Sequence, residues 1–129
     1  MSVDKKNILV IEDHESLRVL LSRILEKNYE VTTKQDGFDA LAWLSYGNIP
    51  DLIILDMSLP RLSGLDFLEN IRNSGFFQEI PVIIVSGEED TEVIARCRQL
   101  GIAGFLHKPF NPIALKENIS AVLSPALSQ

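Results

Sequence analysis

Cysteine is nearly absent: the chain has one, Cys97, in 129 residues, so no intrachain disulfide can form and a reducing compartment, the cytoplasm, is expected. Long apolar runs are absent too. No stretch approaches the eighteen or so residues that span a bilayer, and the opening Met-Ser-Val-Asp-Lys-Lys-Asn lacks a secretory apolar segment, so no membrane role is expected. Glycine, serine and glutamine tracts are missing, and with 46% hydrophobic and 23% charged residues the chain is neither disordered nor low-complexity. Positive charge is in deficit: 12 Lys and Arg face 18 Asp and Glu, and a net charge of −6 disfavours direct binding to nucleic acid. There is no internal repeat and no linker. The tail from Ser124 contains the helix-stopping Pro125, and the whole of 1–129 reads as one domain with its core at about 7–123.

What is present is a series of short β-branched runs at Ile8–Ile11, Leu52–Leu55 and Val82–Val85, each too short for a helix and bounded by acids, Gly or Pro. Weaker patterns at Tyr29–Lys34 and Gly104–His107 supply two more strands, all five separated by helix-length segments. Leu17, Leu20, Leu21, Ile24 and Leu25 share one helical face, as do Val93, Ile94, Cys97 and Leu100. Ser63 and Asn111-Pro112 read as helix starts, and Gly47, Gly75 and Gly101 as helix stops. The expected fold is α/β, a doubly wound (βα)5 unit with a five-stranded parallel sheet.

In such a sheet the residues just beyond the carboxyl ends of the strands converge on one crevice. Here they are Glu12-Asp13 after the first strand, Asp56 after the third, Ser86-Gly87 after the fourth and Lys108-Pro109-Phe110 after the fifth. Two carboxylates about 5 Å apart repel by roughly 3 kcal/mol at an effective dielectric near 20, so three together call for positive charge. Lys108 supplies one unit and a divalent cation two. A small set of oxygen donors suits Mg2+, with Asp13 and Asp56 as direct ligands, Glu12 acting through a water and the backbone carbonyl of Ser58 completing the protein's share. Phosphoryl transfer needs mainly positioning and charge neutralisation, and Asp56, at the end of a buried strand, is the candidate nucleophile.

These motifs, in order and spacing, resemble the receiver domain of bacterial response regulators: Glu12-Asp13, Leu55-Asp56-Met57-Ser58-Leu59-Pro60, Gly64, Ser86 and Lys108-Pro109-Phe110. The resemblance spans about Asn7 to Leu123 and implies a flavodoxin-like strand order 2-1-3-4-5. It also implies that Asp56 is the phosphorylation site, that Lys108 pairs with the phosphoryl oxygens, and that Ser86 moves to hydrogen-bond the phosphoryl group. Phe105 matches the aromatic whose rotamer follows that movement, while Ser58 and Glu88 occupy positions that tune hydrolytic water and so dephosphorylation. The implied partners are a sensor histidine kinase or histidine phosphotransfer protein and a downstream protein or output domain, and a phosphorylation-dependent homodimer is a further expectation. No enzyme activity is expected beyond the domain's own phosphorylation and dephosphorylation. A phosphoryl group adds charge and acceptor oxygens beside Lys108 and Ser86, rewarding an inward Ser86 and reshaping the surface of the fourth helix, fifth strand and fifth helix. Reversing a 1:99 population needs about 5.5 kcal/mol of differential interaction, so partial activation is expected.

Other residues invite blander readings: His14 as a helix-start residue beside carboxylates, His107 as a strand-end surface residue, Trp43 as core packing and Cys97 as a small buried hydrophobe. Gly87, where an alanine is usual, frees the loop after the fourth strand. A phosphatase of the haloacid-dehalogenase type needs a second Asp where Ser58 stands. A flavodoxin-like cofactor binder needs a phosphate loop where this chain has acids. A constitutive interaction module with a vestigial pocket is the remaining alternative.

Overall fold

The computed structural model describes residues 5–124; the readings of the first four residues and of Pro125 onward lie outside them. Five strands and five helices alternate: β1 (Asn7–Ile11), α1 (Glu15–Leu25), β2 (Glu30–Lys34), α2 (Gly37–Ser45), β3 (Leu52–Leu55), α3 (Gly64–Arg72), β4 (Val82–Ser86), α4 (Thr91–Leu100), β5 (Gly104–His107) and α5 (Pro112–Leu123). The strands form one parallel sheet in the order β2-β1-β3-β4-β5, the flavodoxin-like order expected.

Alternation along the central strands divides the core into two layers. Leu9, Ile11, Ile53, Leu55, Val82 and Ile84 face α2, α3 and α4, meeting Ala40, Leu44, Phe67, Leu68, Ile71 and Cys97. Ile8, Val10, Leu52, Ile54, Ile83 and Val85 face α1 and α5, meeting Leu21, Leu25, Leu115 and Ile119. Burial on both faces explains why these strands read as unbroken apolar runs.

The helix starts follow the expected cap chemistry. Ser63 accepts a hydrogen bond from the Asp66 amide at 3.1 Å and Asn111 from the Ile113 amide at 2.8 Å, with Pro112 in the first turn. Two readings need correction. Gly47 and Gly101 adopt the positive φ of a helix stop, whereas Gly75 does not, because α3 ends at Arg72 with Asn73 as its cap. Leu20, assigned above to the core-facing stripe of α1, is 47% exposed; Leu21 and Leu25 carry that contact.

Candidate functional site

Register builds the site. β1 and β3 pair Ile11 with Leu55, so Glu12 and Asp56 leave the sheet side by side. The ladder continues one step past the strands, with the Asp56 amide donating to Ile11 O at 3.1 Å, Glu12 N to Lys34 O at 3.0 Å, and Lys108 N to Ser86 O at 3.0 Å. Backbone pairing, rather than loop packing, thus sets the functional residues along one edge.

Three residues of that edge, Glu12, Asp56 and Ser86, are buried almost completely. Lys108 Nζ donates to Glu12 Oε1 at 3.2 Å and lies 3.5 Å from Asp56 Oδ2. Burial, then the charge of Glu12, push the Asp56 carboxyl above the ordinary carboxylate range, against the opposing pull of the Ser58 N–H and the Lys108 ammonium. One ammonium between two buried carboxylates leaves the pocket electrically unfinished. Two buried oxygens, Asp13 Oδ1 and Asp56 Oδ2, have no hydrogen-bond partner. They belong to the two residues read as direct metal ligands, and ligand atoms of Glu12, Asp13, His14 and Asp56 all lie within 4.8 Å of one another. A hard divalent cation that prefers oxygen fits this donor set, because it would satisfy both orphaned oxygens and offset the crowded charge.

The other residues singled out in the sequence each have contacts of their own. The Ser58 amide donates to Asp56 Oδ1 at 3.2 Å, and the Ser58 side chain is exposed beside the pocket. Ser86 Oγ accepts the Glu88 amide at 3.0 Å, which directs the hydroxyl into the loop before α4. The Glu88 carboxylate is itself engaged, accepting the Asp90 amide at 3.0 Å. Phe105 is half-buried against the layer under α4, and its ring lies 4.9 Å from that of His107, two residues along the same face of β5. His107 is exposed, Cys97 is buried, and Trp43 packs partly buried against the same core layer.

His14 stands as expected at the start of α1 beside a carboxylate, with Nδ1 3.0 Å from Glu12 Oε2, whereas sequence reasoning missed Arg18 and Asp36. Arg18 Nη1 donates to the Glu12 carbonyl at 2.9 Å, one helical turn on from His14, a spacing that was available in the sequence. Asp36, buried like Glu12, Asp56 and Ser86, pairs with Arg61 of the loop after β3, and only the fold brings those two together.

Residues 8–120 match the response regulator receiver domain family. The chain is 38% identical to the Regulator of RpoS of Escherichia coli over 95% of its own length, although it spans only 36% of the length of that protein. It is 30% identical to the chemotaxis protein CheY-3 of Vibrio cholerae, covering 89% of each chain. Among solved structures, the chemotaxis response regulator CheY4 of Vibrio cholerae superposes with a TM-score of 0.82 at 30% identity, covering 92% of this chain and 98% of that one. A CheY-like receiver domain from Methanospirillum hungatei reaches 0.88 at 26% identity, covering 95% and 96%.

Proposed function

The chain belongs to the response regulator receiver domain family, and from that premise we propose that it takes a phosphoryl group on Asp56 and relays the change to a partner. The donor is a phosphohistidine of a sensor histidine kinase or phosphotransfer protein, and the recipient of the signal is a downstream protein or an output domain. The observation that carries this reading is the pair of buried oxygens without hydrogen bonds, Asp13 Oδ1 and Asp56 Oδ2, beside a single lysine.

An oxygen of the ionised Asp56 attacks phosphorus while the donor's N–P bond breaks. The bonding pair returns to the imidazole nitrogen, which takes up a proton, and Asp56 becomes an aspartyl phosphate. Asp13, Asp56 and the Ser58 carbonyl would hold Mg2+, with Glu12 contributing through a water, and the ion would supply charge neutralisation for the phosphoryl oxygens and the crowded carboxylates. Lys108 pairs with a phosphoryl oxygen. The Ser86 hydroxyl exchanges its contact with the Glu88 amide for one with the phosphoryl group, and Phe105 turns into the space released. Ser58 and Glu88 flank the approach of hydrolytic water and set the lifetime of the aspartyl phosphate.

This chemistry acts on the domain itself rather than turning over a separate substrate, and its setting is the cytoplasm. Among the described residues no helix is long and apolar enough to cross a membrane. Phosphorylation also favours a homodimer through the surface of α4, β5 and α5. Amide NMR with Mg2+ and beryllofluoride tests the switch: shifts spreading from Asp56 to Ser86 and Phe105 are expected. Shifts confined to the metal ligands would leave a binding pocket without a switch and favour constitutive partner binding.

A further inference from the structure

The loop after β3 leaves the sheet at Asp56 and rejoins α3 at Gly64, with Ser58, Pro60 and Arg61 exposed. Its inner end is fastened by the Gly64 amide, which donates to Met57 O at 3.0 Å. Gly64 permits this contact because a Cβ there would stand 2.4 Å from Asp56 O. The outer end is held differently. Arg61 has φ +67°, a left-handed conformation that non-glycine residues adopt only when their surroundings enforce it. Its guanidinium pairs with Asp36 Oδ2 and lies 5.4 Å from the centre of the Phe38 ring. Asp36 is 6% exposed and fully committed, since its other oxygen caps α2 by accepting the Asp39 amide at 2.9 Å. Between them Leu62 rests on Gly37, where a Cβ would approach Leu62 Cδ2 to 2.9 Å. Residues 36–38 therefore grip residues 61–62.

We propose that Asp36 and Arg61 form a clamp that positions the loop after β3 for Mg2+ binding, Arg61 acting as a positioning residue through the backbone of residues 57–61. The inference rests on the reading of the Asp56 pocket given above. Strain at Arg61 is otherwise unexplained, because a glycine would take the same turn freely. The loop it shapes brings the Ser58 amide to Asp56 Oδ1 at 3.2 Å, and it also carries the Ser58 carbonyl assigned above to the Mg2+ site. A supporting contact of this kind changes metal affinity when removed, even though it touches no ligand atom.

Charge and positioning predict opposite signs. Removing a cation near a Mg2+ site strengthens binding through space, whereas releasing the loop weakens it. Arg61→Gly removes the guanidinium and also the backbone strain, while Asp36→Asn keeps the α2 cap without the charge. Calorimetric Mg2+ titrations of the wild type, each variant and the double variant, with melting curves in EDTA, provide the test. The clamp predicts that Arg61→Gly weakens Mg2+ binding about tenfold with an undiminished melting temperature, and that the double variant binds no more weakly than the weaker single variant. Unchanged or tighter binding in Arg61→Gly beside a wild type that binds normally overturns the clamp alone. A wild type that binds no Mg2+ overturns the pocket reading and the clamp with it.

Discussion

Asp56 is under two conflicting demands, since burial and then the acidic neighbour Glu12 raise its carboxyl, yet the proposed nucleophilic attack requires it ionised. A carboxyl raised in the fold is favourable to stability only at low pH. Its contribution is present below the ordinary value of 3.8 and is lost as pH rises through that value toward the higher folded one. At neutral pH the metal-free domain therefore carries the full cost of this charge. Asp56→Asn removes it, and urea unfolding in EDTA at pH 7 is expected to show the variant more stable by about 1 kcal/mol. The gap should close on acidification toward 3.8 and narrow when Mg2+ is added, because the cation stabilises the wild type preferentially. An equal or less stable variant at pH 7 would show that Lys108 already balances the pocket. At this scale the sequence was informative wherever a residue ends a strand: Glu12, Asp13, Asp56, Ser86 and Lys108 all lie at the expected edge. It was silent on Asp36 and Arg61, twenty-five positions apart, because only tertiary packing brings their loops together.

Among the helices, α4 is the least committed to the core. Cys97 is its one fully buried residue, against four in α3, so less apolar contact holds it in a single position. Arg72, at the end of α3, compensates by donating to the carbonyls of Leu100 and Gly101 at 2.9–3.2 Å and to Gln78 O at 3.1 Å. Burial lowers the pKa of this guanidinium from its ordinary value. Arg72→Ala leaves those carbonyls without their donor and is expected to destabilise the domain by about 1–2 kcal/mol in urea, with faster amide exchange concentrated in α4. Loss of protection spread evenly over the sheet would instead show that Arg72 supports the whole fold rather than this element. The sequence revealed the helical period of α4 but not its tether, since Arg72 in a last turn reads equally well as a solvated charge favourable to the helix dipole. The misreading of Leu20 has a similar origin. A stripe wide enough to include it fits the period, but the contact with the sheet is narrower.

Over the whole molecule, the β-branched runs and helix-length spacings were sufficient for the parallel sheet, because burial on both faces leaves an unambiguous apolar signature. Strand order was not written in those runs; it came from the resemblance and the sheet bears it out. Four strand ends then place Asp13, Asp56, Ser86 and Lys108 on one edge of an acidic protein of net charge −6, the arrangement the proposed phosphoryl switch requires of its fold. Phe105, on the layer under α4 and two strands from Asp56, belongs to the α4, β5 and α5 surface proposed to change. The most direct test is the intact mass of the wild type and Asp56→Asn after incubation with Mg2+ and acetyl phosphate. One added phosphoryl group on the wild type and none on the variant is the predicted result; no adduct on the wild type, or an equal adduct on both, would contradict it.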